Sequence, residues 1–224
     1  MRVSQRIVRL MLAGTAVAAL LTTALAAPSQ AATACPSGLL AFQATLSNGT
    51  FNIGKNVKTT GGGANICGEI TVGAGGLVPK VDPNNISFTS GKTSAGPLSI
   101  PTDVKTVGDM TGTTTINPDG TISASFTTSV VVTTKILGQS CQIPVNLTLT
   151  TGRSGSLSGK PLSYDLATGV SKGKLVAGDF TVPKIKTTKQ CNVIVATASN
   201  ALIGLPLAAG KSSISYDIAL KLGV

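Results

Sequence analysis

The chain has 224 residues and a formal net charge of +10, with four cysteines, no histidine and no tryptophan. Without histidine, a Ser-His-Asp or Cys-His mechanism and the usual zinc sites are excluded. The lysines are scattered and the aromatic residues are few, five Phe and two Tyr, so we expect no binding of nucleic acid.

Residues 1–34 are predicted to be a signal peptide. Three arginines precede an apolar run over residues 10–27, and Pro28 and several small residues follow it. This order of a basic, an apolar and a small-residue region is typical of an export leader, which is cleaved and takes no part in the fold. We expect cleavage after Ala31 or Ala34 and a single secreted domain over residues 35–224.

Two other fates of the leader are open from the sequence. It could be retained as a membrane anchor, although the apolar run is short for a spanning helix and contains Gly14 and several threonines. Alternatively, the small residues before Cys35 could direct lipid attachment to that cysteine, which would leave an odd number of thiols. We prefer the cleaved leader, with no transmembrane anchor after cleavage.

Four cysteines in an exported chain predict two disulfide bonds. Their spacing is too wide for a Cys-x-x-Cys redox pair or a zinc knuckle. Three connectivities are possible, and we prefer the one that closes the shorter loop in each half of the chain, Cys35–Cys67 and Cys141–Cys191. These four cysteines are the only site residues that we predict. We predict no catalytic residue, no metal ligand and no cofactor.

Strict alternation of apolar and polar residues is the dominant pattern after residue 38, and it predicts strands with one face on a core. The first two strands, 39–46 and 51–57, are separated by a Ser-Asn-Gly-Thr sequence at 47–50 that is typical of a turn. Glycine clusters at 61–63 and 73–76 predict loops.

The second half of the chain continues the same pattern. An Asn-Pro-Asp-Gly turn at 117–120 joins strands 111–116 and 121–136 in a predicted hairpin. Two further alternating strands are predicted over 141–150 and 214–222, and a reversal of the chain is predicted between them, over 165–169.

One short helix is predicted near 196–205, where Ser199 or Asn200 could cap it and Gly204 and Pro206 end it. Many short strands joined by turns, with abundant Thr and Val, are typical of an antiparallel sandwich or barrel. Of the two we predict the sandwich: an all-β fold, built as an antiparallel β-sandwich that is immunoglobulin-like or jelly-roll-like.

Two weak candidates for catalysis remain. Ser171 and Lys174 match a Ser-x-x-Lys pair, but the surrounding glycines predict a hairpin rather than the helix that this pair needs. A glycosidase would need two carboxylates facing each other across a sugar. The available carboxylates are Glu69, Asp82, Asp103, Asp109, Asp119, Asp165, Asp179 and Asp217. We expect no enzymatic activity, and a carboxylate-based or Ser-Lys hydrolase is the alternative.

The Thr/Ser-rich hairpin over 109–136 offers a further alternative, a pore-former that inserts this hairpin into a membrane. The same alternation also describes an ordinary sheet hairpin whose outer face is covered by threonine.

Positive charge persists after removal of the leader. Without the three arginines of the leader, 15 basic and 8 acidic side chains remain, and all of the basic ones except Arg153 are lysines. This excess could serve solubility, or it could attract an anionic polymer of the cell envelope.

Three features of the sequence suggest a resemblance to other proteins. They are the arginine- and alanine-rich leader, the late Cys191 with a short Leu/Gly/Pro segment after it, and the alternating final strand. In these features the chain resembles the secreted β-proteins of unassigned role encoded by high-GC Gram-positive bacteria. The resemblance implies an exported sandwich without catalysis. We therefore expect a secreted structural or binding protein of the bacterial cell envelope or medium that binds anionic envelope polymer. The oligomeric state stays open.

Overall fold

The computed structural model describes residues 35–73, 76–89, 91–95, 98–99, 102–136 and 138–224, so the predicted leader lies outside the described residues. The chain forms antiparallel strands and an α-helix. In chain order the elements are β1 (Ala41–Ile53), β2 (Val57–Gly73), β3 (Gly76–Val81), β4 (Ile86–Thr89), β5 (Lys92–Ala95), β6 (Leu98–Ser99), β7 (Thr102–Ile116), β8 (Ile122–Ile136), β9 (Gln139–Thr150), β10 (Arg153–Ser154), β11 (Leu157–Ser158), β12 (Lys160–Asp165), β13 (Val170–Ala177), α1 (Val193–Ile203) and β14 (Ser212–Leu222).

The main sheet closes on itself into an eight-stranded barrel. Its strands follow the order β1-β14-β13-β12-β8-β7-β3-β2, and β2 then pairs with β1, from Ala41 opposite Glu69 to Ile53 opposite Val57. Each pairing in this ring is antiparallel. The prediction of an all-β, antiparallel fold is confirmed.

The predicted β-sandwich, immunoglobulin-like or jelly-roll-like, is not the architecture that the structure has. Two separate sheets would leave unpaired edges between them, whereas β1 has strand partners on both sides, β14 and β2. Alternation identifies the buried face of a strand, and this face looks the same in a sandwich and in a small barrel. The pattern therefore could not distinguish the two architectures.

A bulge in β1 takes the place of the turn predicted at 47–50. The register of β1 against both β14 and β2 shifts between residues 46 and 50, and Asn48 has a positive φ of 51°. Asparagine tolerates this left-handed conformation, and its side chain here donates a hydrogen bond to Asp217 at 2.9 Å. A bulge twists a strand without reversing it, so the two predicted strands are one.

Aromatic rings inside the barrel pack against glycines of neighbouring strands. A Cβ atom on Gly112 of β7 would lie 2.7 Å from the ring of Phe126 on β8, and one on Gly68 of β2 would lie 3.0 Å from the ring of Phe42 on β1. Without side chains at these points the strands can approach and bend as a closed barrel requires. The cluster at 61–63, predicted as a loop, likewise lies inside β2.

The other predicted reversals agree with the structure. Strands β7 and β8 form the predicted hairpin, with Ile116 opposite Ile122. Strands β12 and β13 reverse between Asp165 and Val170. A loop was also predicted at 73–76, where β2 ends at Gly73 and β3 begins at Gly76, and residues 74–75 lie outside the described residues.

The barrel has two different ends. We call one of them the helix end; it carries α1, the β1–β2 turn, the β8–β9 turn and the segment 178–192. Two hydrogen bonds place these parts together. Asn56 donates to the carbonyl of Leu202 (3.0 Å), and the side chain of Gln139 accepts from the N–H of Asn192 (2.7 Å). The open end carries the start of β1, the end of β14, and the β2–β3, β7–β8 and β12–β13 turns.

Helix α1 begins earlier than predicted. The side chain of Asn192 accepts a hydrogen bond from the N–H of Val195 at 2.9 Å and so caps the first turn. The predicted caps lie inside the helix. Ser199 is buried, and the amide of Asn200 accepts from the N–H of Ile185 (2.8 Å) and donates to its carbonyl (3.1 Å). Helix and segment 178–192 are thereby joined. The helix ends at Gly204, as predicted.

Candidate functional site

A cavity with almost entirely apolar walls occupies the interior near the open end. Its volume is about 60 Å³, and each of the eight strands of the ring contributes to its lining. Thr114 is the polar residue in this lining, and its hydroxyl donates to the carbonyl of Leu77 at 2.8 Å. The cavity therefore suits an apolar molecule and offers no unsatisfied donor.

A second void of about 50 Å³ lies deeper in the barrel. Leu46, Ile66, Met110 and Leu149 line both voids, so the two are neighbours separated only by side chains. The hydroxyl of Thr128 faces the inner void with no hydrogen-bond partner, although this residue is only 4% exposed. A buried hydroxyl without a partner costs stability.

We expect Thr128→Val to stabilise the fold by about 1 kcal/mol, because valine keeps the shape and removes an unpaired hydroxyl. Thr127→Val is the matched control, since Thr127 is exposed on the outer face, and its effect should stay within about 0.5 kcal/mol. Thermal unfolding of both variants measures this. A lower Tm for Thr128→Val would show that the hydroxyl is paired in solution.

Large apolar side chains surround the mouth of the outer cavity. The inward rows of β2, β7 and β14 continue past the cavity to Val72, Ile116 and Leu222, which are 79%, 65% and 44% exposed. Among the described residues, most of the exposed large apolar side chains lie at this end. We call this set the apolar rim: Leu39, Leu40, Val72, Ile116, Tyr164, Leu166 and Leu222. Such a concentration of apolar surface usually marks a binding site.

Positive charge is concentrated at the opposite end. In the part of the chain that the structure describes, the helix end and the strand halves next to it carry nine exposed lysines and two carboxylates, Asp103 and Asp179. The lysines are Lys55, Lys58, Lys92, Lys105, Lys135, Lys184, Lys186, Lys189 and Lys211. The remaining described residues carry six cations and six carboxylates and are balanced. The whole excess of positive charge therefore lies toward one end.

Segment 178–192 holds three of these lysines in place. Ile185 is buried and bonded to Asn200, so Lys184 and Lys186 on either side of it point to solvent. Lys189 lies in the tight turn between Thr188 and Cys191, whose backbone groups bond to each other at 2.8 and 3.2 Å. These cations are thus carried by an ordered backbone.

The structure pairs Cys35 with Cys67 and Cys141 with Cys191, the connectivity preferred from the sequence. Cys141 and Cys191 are fully buried and join β9 to the residue next to the helix cap. Cys35 joins the segment before β1 to β2. Because its sulfur is in a disulfide, the lipid attachment to Cys35 considered above has no free thiol to use.

Ser171 and Lys174, the candidate Ser-Lys pair, are not brought together. Ser171 and Lys174 both lie on β13, where Ser171 faces the interior and is 4% exposed while Lys174 faces solvent. An odd separation on a strand places two side chains on opposite faces. Among the described residues there is also no group of three or more Cys, Asp or Glu side chains that could hold a metal ion.

Two of the carboxylates are turn residues. Hydrogen bonds from the hydroxyl and N–H of Thr121 lower the pKa of Asp119, and bonds from the Thr168 hydroxyl and the Ala167 N–H lower the pKa of Asp165. Lys172, with its Nζ 3.8 Å from Asp165, adds a smaller effect. Their environment is that of aspartates that stabilise β-turns.

The hairpin 109–136, considered as a membrane-inserting segment, is part of the barrel wall. β7 pairs with β3, and β8 pairs with β9 and β12. Insertion of this hairpin would have to break those ladders.

Two features of the molecule were missed at the sequence level. The lysines of the helix end are spread from Lys55 to Lys211, and only the fold gathers them. For the apolar rim a signal existed in the sequence, because the alternating apolar rows run through Val72, Ile116 and Leu222 to the ends of their strands.

Within the described residues, no helix has the length and apolar character needed to cross a bilayer. The two disulfide bonds agree with an extracellular location, where such bonds persist. Comparison with protein-family models, with curated proteins and with solved structures gives no match for this chain.

Proposed function

We propose that this is an exported, non-catalytic binding protein of the bacterial cell envelope or the surrounding medium, and that it binds an anionic envelope polymer through the helix end of the barrel. The observation that carries the proposal is the segregation of charge: nine exposed lysines against two aspartates at that end, and balance elsewhere.

The chemistry of lysine fits a polymer of repeating anions. The lysine ammonium is a hydrated point charge that attracts phosphate or carboxylate groups without fixed geometry. Several such cations on one surface raise the local concentration of a polyanion, and salt screens this attraction. Binding should therefore be broad in specificity and sensitive to ionic strength.

The test uses two triple variants with the same change in net charge. We expect Lys184→Glu with Lys186→Glu and Lys189→Glu to weaken binding to isolated anionic cell-wall polymer at low salt by at least about a hundredfold, since each lysine near an anionic surface contributes about 1 kcal/mol and each glutamate adds repulsion. The control triple makes the same change at Lys80, Lys172 and Lys221, which lie on the strands toward the open end, and should lose about tenfold or less.

A pull-down at low and high salt provides the measurement. Absence of binding by the unaltered protein at low salt would contradict the proposal. Equal losses in the two triples would show that net charge, rather than the helix end, governs binding.

A further inference from the structure

The interior of the barrel contains space that its own side chains do not fill, and the walls of this space are apolar. Two neighbouring voids of about 60 and 50 Å³ lie in line from the open end inward. An apolar cavity of about 150 Å³ in another protein stays dry and takes up an apolar ligand, so voids of this order favour a hydrocarbon over water.

The lining defines what can enter. No charged side chain lines either void, and the polar lining residues are Thr114, Thr128 and Tyr216. The hydroxyl of Thr114 is already bonded to the carbonyl of Leu77. A charged head group would lose its hydration in this interior without finding a partner. Any ligand must therefore leave its polar part outside.

The apolar rim is continuous with the outer void. Leu222 belongs to both the rim and the lining, and Leu40 accepts a backbone hydrogen bond from Ile70, which also lines the void. A second copy of the chain placed on the rim would cover it but leave both voids unfilled. A narrow hydrocarbon chain can contact the rim and fill the voids together.

We propose that the open end binds a single acyl chain, which enters with its methyl end first, passes Leu222 and Ile70 at the mouth, and lies along the two voids toward Thr128. Its polar head group stays in water at the rim. This site is separate from the lysines of the helix end and does not depend on polymer binding.

Chain length is the sharpest test. Isothermal titration calorimetry of the purified protein with straight-chain fatty acids of increasing length, each below its micelle concentration, should show Kd falling about fourfold for each methylene buried. The fall should stop once the voids are filled, and binding should have a negative heat-capacity change.

Two variants locate the chain. Ala44 lines the outer void, and Ala44→Leu should move the plateau to acids about three carbons shorter, because leucine occupies that space. Leu222→Gln should weaken binding about tenfold by placing an amide at the mouth. Leu202→Gln is the matched control on the helix end, since Leu202 and Leu222 are 38% and 44% exposed, and it should leave Kd unchanged.

Flotation with uncharged phosphatidylcholine vesicles distinguishes the source of the chain. Flotation that Leu222→Gln weakens would identify bilayer lipid as the source of the chain, and titration with fatty acids alone would identify a free acid. The proposal is wrong if neither arm shows binding, if binding lacks a length limit, or if only a rim-dependent dimer forms in sedimentation.

Discussion

Replacing Cys141 and Cys191 together with alanine is expected to lower the free energy of unfolding by about 4 kcal/mol in the chain-entropy model of disulfide stabilisation. The bond joins residues 50 positions apart, and both sulfurs are fully buried. It is also the covalent link between β9 and the base of α1. Since small domains are stable by only about 5–15 kcal/mol, this loss is a large share of the total.

Urea unfolding at neutral pH measures the effect as a shift of the midpoint. The Cys35→Ala and Cys67→Ala pair is the comparison, because that bond closes a shorter separation of 32 residues and Cys35 is exposed. It should cost slightly less, about 3.5 kcal/mol. A loss below about 1 kcal/mol for the buried bond would contradict the prediction.

Leu162→Ala is expected to cost about 3–5 kcal/mol, in the upper part of the range for buried leucines. Leu162 is 2% exposed, lines the outer void and pairs with Ile122, where β12 meets β8 in the ring. Its removal enlarges a space that already exists, so the surroundings cannot close over it. The variant therefore keeps an enlarged outer void and loses the contacts that the Leu162 side chain makes.

Leu166→Ala is the control for this prediction. The residue lies four positions away in the β12–β13 turn and is 89% exposed, so its change should stay within about 0.5 kcal/mol. Chemical denaturation of both variants measures the two changes in the free energy of unfolding. Equal effects would mean that β12 does not seal the barrel at Leu162.

Alternation allowed much of the strand structure to be predicted. The strand predicted at 141–150 is β9, Gln139–Thr150, and the one at 214–222 is β14, Ser212–Leu222. In both, each second side chain is apolar and faces the interior, although Leu222 at the end of β14 is exposed at the mouth, and this alternation is the information that a period of two contains. Turn sequences such as Asn-Pro-Asp-Gly supplied the hairpin boundaries.

Closure of the barrel could not be predicted, because it depends on which strands become neighbours. Nothing in residues 41–53 alone indicates pairing with both 57–73 and 212–222. The Asn48-Gly49 dipeptide was misleading for a related reason. A positive φ serves a hairpin turn and a bulge equally well, and the ladders on both sides of β1 decide between them.

The start of the helix was hidden by its composition. The β-branched Val193, Ile194 and Val195 are weak helix formers, so a start at 196 was predicted although Asn192 is a favourable N-cap residue. The side chain of Asn192 caps the first turn locally, and the neighbouring disulfide and the bond from the Asn192 N–H to Gln139 hold this turn against β9. The two candidate binding ends depend on the same long-range assembly and were not visible as motifs.

Strand β1 cannot be paired on both sides until β14 is present. β1 lies between β2 and β14, and Phe42 is opposite Leu222 near the carboxyl terminus. A nascent chain that lacks residues 212–222 would expose unsatisfied backbone amides along β1 and β13 alike. Ring formation must therefore wait until residues 212–222 have been synthesised, and deletion of these residues would remove a pairing partner from β1 and β13 at once.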